Sequence, residues 1–304
     1  MVATAELAYD SRNVLGECPI WSPELQNLLW VDIQGKQIWA YDPESNTAEK
    51  WDVPKRPGSF ALVKGASPTK KLLVAFEDSV SLYSLEENKV IEKLDDFEAD
   101  ISNTRANDGR ADRQGRFVIS GYNENYREDG KASAGIWRLD ASRKLTKLVQ
   151  QGVKVGNGLA FSLDGSTMFF CDSPTKEIRS YAYDADTGTV KEDKMEVFWK
   201  MPQDKEGITD GSAVDSEGYL WTAWFGQGKV IRISPKGEID REIALPVPNP
   251  TCVAFGGKNL DTLFITTTRR RMTDEELQKY PSAGSLFMIK LSDVKGVEES
   301  EFVL

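Results

Sequence analysis

One short pattern recurs six times along the chain, and a chain that repeats at this period has few folds open to it. The copies are Glu17-Cys18-Pro19-Ile20, Gly58-Ser59-Phe60-Ala61, Asp108-Gly109-Arg110-Ala111, Asn157-Gly158-Leu159-Ala160, Asp210-Gly211-Ser212-Ala213 and Thr251-Cys252-Val253-Ala254. The fourth residue is always small or apolar, usually Ala. The first is Glu, Gly, Asp, Asn, Asp and Thr in turn. About ten residues after each copy comes a strand-like run, such as Leu28-Leu29-Trp30-Val31-Asp32, Met168-Phe169-Phe170-Cys171-Asp172 and Tyr219-Leu220-Trp221-Thr222-Ala223. A third run follows, as in Gln37-Ile38-Trp39-Ala40-Tyr41 and Val230-Ile231-Arg232-Ile233. The runs are rich in β-branched and aromatic residues. Turn dipeptides such as Asp164-Gly165 separate them. Copies lie roughly 40–50 residues apart, the period of a four-stranded propeller blade.

The pattern predicts an all-β fold: a six-bladed β-propeller of four-stranded antiparallel blades, forming one domain over residues 1–304. Glu6-Leu7-Ala8-Tyr9 and Glu301-Phe302-Val303-Leu304 are both strand-like. Their pairing would close the ring and remove its free edges. One helix is predicted, Thr273 to Tyr280, with Thr273 as N-cap, Glu276 three residues on and Pro281 as a stop.

If the copies are blades, their first residues occupy equivalent points around one axis, and oxygen ligands far apart in sequence converge there. The chain has no histidine, which rules out a Ser-His-Asp triad, a histidine zinc site and a histidine general base. No Gly-rich stretch has a phosphate-binding pattern followed by a helix. Carboxylate, amide and metal-assisted chemistry remain. Glu17, Asn157 and Asp210 are therefore the candidate metal ligands in the channel, an all-oxygen set suited to hard divalent cations such as Ca²⁺, Mg²⁺ or Mn²⁺. The competing reading makes Asn157-Gly158 and Asp210-Gly211 simple turn dipeptides. Asp108 shares the repeat position as a supporting or loop-orienting residue. Cys18, Cys171 and Cys252 form no disulfide framework and read as small buried hydrophobes. Strand alternation turns Cys18 away from the side that Glu17 faces.

Lys and Arg total 38 against 48 Asp and Glu, a net charge of −10. This disfavours nucleic acid and anionic membrane surfaces as partners. The N-terminal residues carry no signal-peptide pattern, and no apolar stretch is long enough to span a bilayer. A cytoplasmic protein is expected, as a monomer or weak dimer.

Gly16-Glu17-Cys18-Pro19-Ile20-Trp21, Arg105-Ala106-Asn107-Asp108-Gly109, Asn157-Gly158-Leu159-Ala160-Phe161-Ser162, Asp210-Gly211-Ser212-Ala213-Val214-Asp215 and Ala254-Phe255-Gly256-Gly257 together resemble the SMP-30/gluconolactonase/regucalcin family, over nearly the whole chain and in order. The resemblance implies a six-bladed propeller with one divalent cation in its channel, calcium first, with Zn, Mg, Mn or Fe(II) as alternatives. It implies hydrolysis of a sugar lactone, and the stretch from Asp210 to Pro235 looks most like the bacterial aldonolactonase branch, including glucono- and xylonolactonases. It puts the metal on Glu17, Asn157 and Asp210, and the substrate on Arg105 and Asn107. Glu124 is a third substrate candidate, though its segment Gly121-Tyr122-Asn123-Glu124 matches no substrate motif of the family. The chain departs from the family pattern at Cys18, where a glycine is common, and at Thr209, where proline is common.

On this reading Asp210 is the general base, while Arg105 and Asn107 hold sugar hydroxyls or the carbonyl through directional donors. The bland alternative pairs Arg105 with the acidic run Asp95-Asp96-Phe97-Glu98 at the surface. Asp172 either lines the channel or ends a strand. Trp221, Trp224 and Phe225 either form a stacking wall for a sugar or pack in the core, the latter favoured for Trp221. The rival functions are a calcium-binding regulatory protein without turnover, a hydrolase of another ester or phosphotriester, and a strictosidine-synthase-type condensing enzyme.

Overall fold

The computed structural model describes residues 2–304; Met1, which opens the segment read for a signal peptide, lies outside them. The described residues build six sheets, five of four antiparallel strands and one in which a short parallel strand is added to four antiparallel ones. These are the blades of a six-bladed β-propeller, as the repeat predicted. The first strand of each blade carries the recurring tetrad: β1 (Gly16–Ser22), β2 (Pro57–Leu62), β3 (Thr104–Ala111), β4 (Gly156–Phe161), β5 (Ile208–Val214) and β6 (Pro250–Gly256). Asn157-Gly158 and Asp210-Gly211 therefore lie within strands, and their reading as turns is overturned.

The chain divides into two units of three blades each. One unit, residues 1–52 and 201–298, holds the blades that begin with β1, β5 and β6. The other, residues 53–200 and 299–304, holds those that begin with β2, β3 and β4. Within a unit, neighbouring blades meet through their first strands: β6 touches both β1 and β5, and β3 touches both β2 and β4. The core lies between successive blades. Trp21, Trp30, Tyr41 and Phe264 fill one such layer; Val118, Ile136, Leu159 and Phe170 fill another. First strands such as β2 and β6 are buried at every residue, whereas the fourth strand Thr47–Asp52 has no buried residue. This gradient follows from packing each twisted sheet against the next on both faces near its first strand and leaving the last to solvent.

The ends do not pair with each other, contrary to expectation. Glu6–Tyr9 runs antiparallel to Leu286–Lys290 and completes the blade of β6, for which the C-terminal part of the chain supplies only three strands. Ala3–Thr4 adds a parallel fifth strand beside Ile239–Ala244. At the other end, Phe302 bridges Val63 in parallel and is fully buried. Each end thus covers or fills an edge that would otherwise stay unpaired.

Among the described residues two short α-helices, and one 3-10 turn at Ser173–Thr175, interrupt the strands. α1 (Tyr126–Asp129) was not foreseen; it ends on Gly130 in the left-handed conformation. α2 (Asp274–Lys279) is the predicted one, with a full capping box between Thr273 and Glu276. No helix among the described residues is long and apolar enough to cross a membrane.

Candidate active site

Every first strand carries a β-bulge at the tetrad. In β1 the pairing passes from Glu17↔Val31 to Ile20↔Leu29, so one extra residue is taken up between them. The same slip follows Asn157 in β4, spans Asp210 in β5 and spans Asn107 and Asp108 in β3. β2 and β6 bulge next to Gly58 and Thr251. A bulge bends the strand and re-aims its side chains. Strict alternation therefore fails at Cys18, which sits in the bulge at φ 49° and is buried. Gly158 holds the corresponding place in β4 at φ 67°. A side chain in this left-handed region costs on the order of 1–3 kcal/mol, so β1 accepts strain that β4 avoids with glycine. Gly211 has a different reason: a Cβ there would overlap Cys252 Sγ.

In the unit built on β1, β5 and β6, Glu17 is part-exposed and Asp210 is buried. Their strands lie on either side of β6. Thr251 on β6 ties this arrangement: its hydroxyl donates to Gly16 O at 2.5 Å and lies 2.9 Å from Thr266 Oγ1. The hydroxyls of Thr222 and Ser212 donate to Asp210 O at 3.4 and 3.5 Å. The backbone next to both acids is thus fixed.

In the other unit the structure brings Arg105, Asn107, Asn157 and Glu124 into one network. Arg105, 2% exposed, stacks over Tyr122 with 4.8 Å to the ring centroid. Its Nη1 donates to Asn107 Oδ1 at 2.7 Å, and its Nε lies 3.5 Å from Glu124 Oε1. Asn107 Nδ2 donates to Asn157 Oδ1 at 2.7 Å and to Gly156 O at 2.9 Å. Asn157 Nδ2 donates to Ser173 Oγ at 2.9 Å. Arg56 grips both oxygens of Glu124, at 2.8 and 2.9 Å, and is itself held by Glu77 at 2.6 Å. These acids, the Glu124 bond first, hold the Arg56 guanidinium above its ordinary pKa. Asp108 accepts from the amides of Leu159 at 2.8 Å and Gly109 at 2.9 Å. It orients β4 against β3. Its enclosure raises the carboxyl pKa, against the pull of Arg110 and the nearby amides.

Three alternatives close here. Arg105 pairs with Glu124 and not with the acidic run, whose Asp95 and Asp96 pair with Lys144 and Lys93. Asp172 ends its strand: its oxygens accept from the amides of Val155 at 2.9 Å and Lys154 at 3.2 Å. Asp32 does the same for Val14 and Leu15. Trp221 and Trp224 are buried, their indole N–H groups donating to Asp215 and to Glu206 O, so neither forms an open wall. Sequence reasoning missed Arg56 and Ser173, and gave Tyr122 no role. Arg56 carried one weak signal, a cation two residues before the copy that begins with Gly58. Ser173 carried none beyond an Asp-Ser-Pro turn.

Among the described residues no group of three or more His, Cys, Asp or Glu side chains is placed to hold a metal. The predicted set is of another kind, two carboxylates and an amide. Its chemistry fits a hard cation, because every donor atom is oxygen.

The SMP-30/Gluconolactonase/LRE-like region matches residues 15–269 of this chain. The chain belongs to that family. Its similarity to other members runs almost end to end. An L-arabinolactonase of Azospirillum brasilense is 34% identical over 284 residues, 93% of this chain and 91% of that protein. A 6-deoxy-6-sulfogluconolactonase of Pseudomonas putida is 33% identical over 304 residues, covering 99% of each. Among solved structures, a calcium-binding protein, regucalcin, from Agrobacterium tumefaciens superposes with a TM-score of 0.90 at 26% identity, covering 100% of this chain and 98% of that one.

Proposed function

We propose that this chain hydrolyses a sugar lactone to the aldonic acid, at a divalent cation held by Glu17, Asn157 and Asp210, with all of residues 1–304 acting as one domain. The observation that carries the reading is the hydrogen-bonded run from Arg105 through Asn107 to Asn157. It joins a buried cationic donor, suited to sugar oxygens, to an amide that begins the β4 copy of the tetrad. The relatives named as an L-arabinolactonase and a sulfogluconolactonase support the substrate class, and the calcium-binding regucalcin supports the cation. Calcium is the first choice, with Zn, Mg, Mn and Fe(II) as alternatives.

Glu17, Asn157 and Asp210 would hold the cation, which when bound would supply Lewis-acid polarisation of the lactone carbonyl and a more acidic water. Asp210, on β5 and buried, takes the proton from the attacking water as general base. Arg105 donates to ring hydroxyls or to the carbonyl oxygen, and Asn107, whose two N–H groups are taken by Gly156 O and Asn157, accepts from a ring hydroxyl through its oxygen. Glu124, gripped at both oxygens by Arg56, accepts from a hydroxyl. The three cysteines are buried and none is in a disulfide, which suits a reducing compartment, and we place the protein in the cytoplasm.

The test is acid release from glucono-, galactono-, xylono- and arabinonolactones by metal-stripped protein, with single divalent ions added back and spontaneous opening subtracted. Ion-dependent acceleration on one or two sugars is expected. Ion binding without acceleration on any lactone would favour a calcium-binding regulatory role instead.

A further inference from the structure

The network around Asn157 has a direction, and the direction has one source. A guanidinium carries only donors. The Asn107 atom 2.7 Å from Arg105 Nη1 must therefore be its oxygen. Its nitrogen then points the other way, to Gly156 O and Asn157. The Asn157 atom that meets this nitrogen must in turn be oxygen. On the far side, Ser173 imposes nothing, because a hydroxyl donates or accepts as its partner requires. Arg105 cannot drift: it lies on Tyr122, beside Glu124, and Arg56 clamps Glu124 from the neighbouring blade.

The geometry points to Asn107 as a positioning residue for Asn157: with Arg105 setting the polarity, it holds the Asn157 amide so that oxygen and not nitrogen faces the side on which a cation would bind. The inference rests on the metal reading of Asn157. An amide ligand has two nearly isosteric orientations, only one of which offers a lone pair. Partners that orient a ligand are worth about 10–100-fold in metal affinity. Arg105 and Asn107 thus act on the cation as well as on substrate.

The test uses opposite signs. N107D places a carboxylate oxygen against Asn157 and turns the amide nitrogen toward it. By charge alone an added carboxylate tightens a dication; by orientation it weakens one. Calorimetry with Ca²⁺ should show binding weakened at least tenfold in N107D. In an N157D background, where both oxygens are equivalent, N107D should not weaken it. A second readout needs no metal: exchange of the Asn107 and Asn157 side-chain amide protons, followed by NMR in metal-free protein. R105M should speed exchange at both residues, and R105K, still a pure donor, should restore protection. Tighter or unchanged Ca²⁺ binding in N107D, or unchanged exchange in R105M, overturns the proposal. If the unmodified protein binds no ion while R105M still speeds exchange, the metal reading fails and the orienting role of Asn107 stands.

Discussion

Two buried arginines, one in each unit, look alike and do different work. Arg105 is 2% exposed and Arg232 is 4% exposed. Each stacks on a tyrosine, Arg105 on Tyr122 and Arg232 on Tyr219 at 3.7 Å. Arg232, however, ends on three carboxylates of its own blade: Asp215 at 2.8 Å, Glu217 at 2.6 Å and Asp240 at 2.8 Å. Asp215 in turn accepts from the amides of Glu217 and Tyr219 and from the Trp221 indole. Every bond there closes within the same blade. Arg105 instead passes its polarity along two amides into the next blade. A buried arginine with an acid is thus no sign of function in itself. What matters is whether its hydrogen bonds close locally or lead toward a candidate site.

The largest effect should separate two aspartates of the same unit. D210N should lower kcat by about 10²–10⁴-fold with little change in Tm. D215N should do the reverse, losing stability while the folded fraction keeps its activity. Assays of initial rate beside thermal melts would decide, and a D215N that abolished turnover in folded protein would break the contrast. Next in size, R232M strands the fully buried Asp215 and should cost about 3–5 kcal/mol, read as a lower urea midpoint with turnover per folded molecule retained. R105M removes a charged donor and should lower kcat/KM about 10–100-fold, with a smaller loss of stability than R232M.

The smallest effect sets a baseline. Asp164 is exposed in the turn after β4, and its pKa is lowered to about 2, first by the Ser162 hydroxyl and then by Ser166. Because the folded pKa is depressed, its stabilisation is present above about pH 4 and is lost as pH falls through 2. Solvent screening keeps it to a fraction of about 1 kcal/mol. D164N should lie slightly below the unmodified chain in Tm at pH 6, with the gap closing in acid and activity unchanged throughout.

Much of the fold was legible because it follows from period and residue type. The tetrads fell on six first strands, and the Thr273 capping box marked α2. The acids were harder to sort. Asp32, Asp172 and Asp215 hold loops, Asp108 aligns two strands, and Asp210 is the proposed base, yet all are aspartates in or near repeated segments. The pairing of the ends was misread, since the vacant outer position in the blade of β6 appears only when its strands are counted in space.

The sequence by itself determined the repeat, the strands and which donors and acceptors each position carries, because these depend on nearest neighbours and side-chain type. The tertiary structure decided the bulges, the grip of Arg56 on Glu124 and the orientation of Asn157. A hydrogen bond takes its direction from both partners. Here those partners come from separate blades, and no local segment contains the pair.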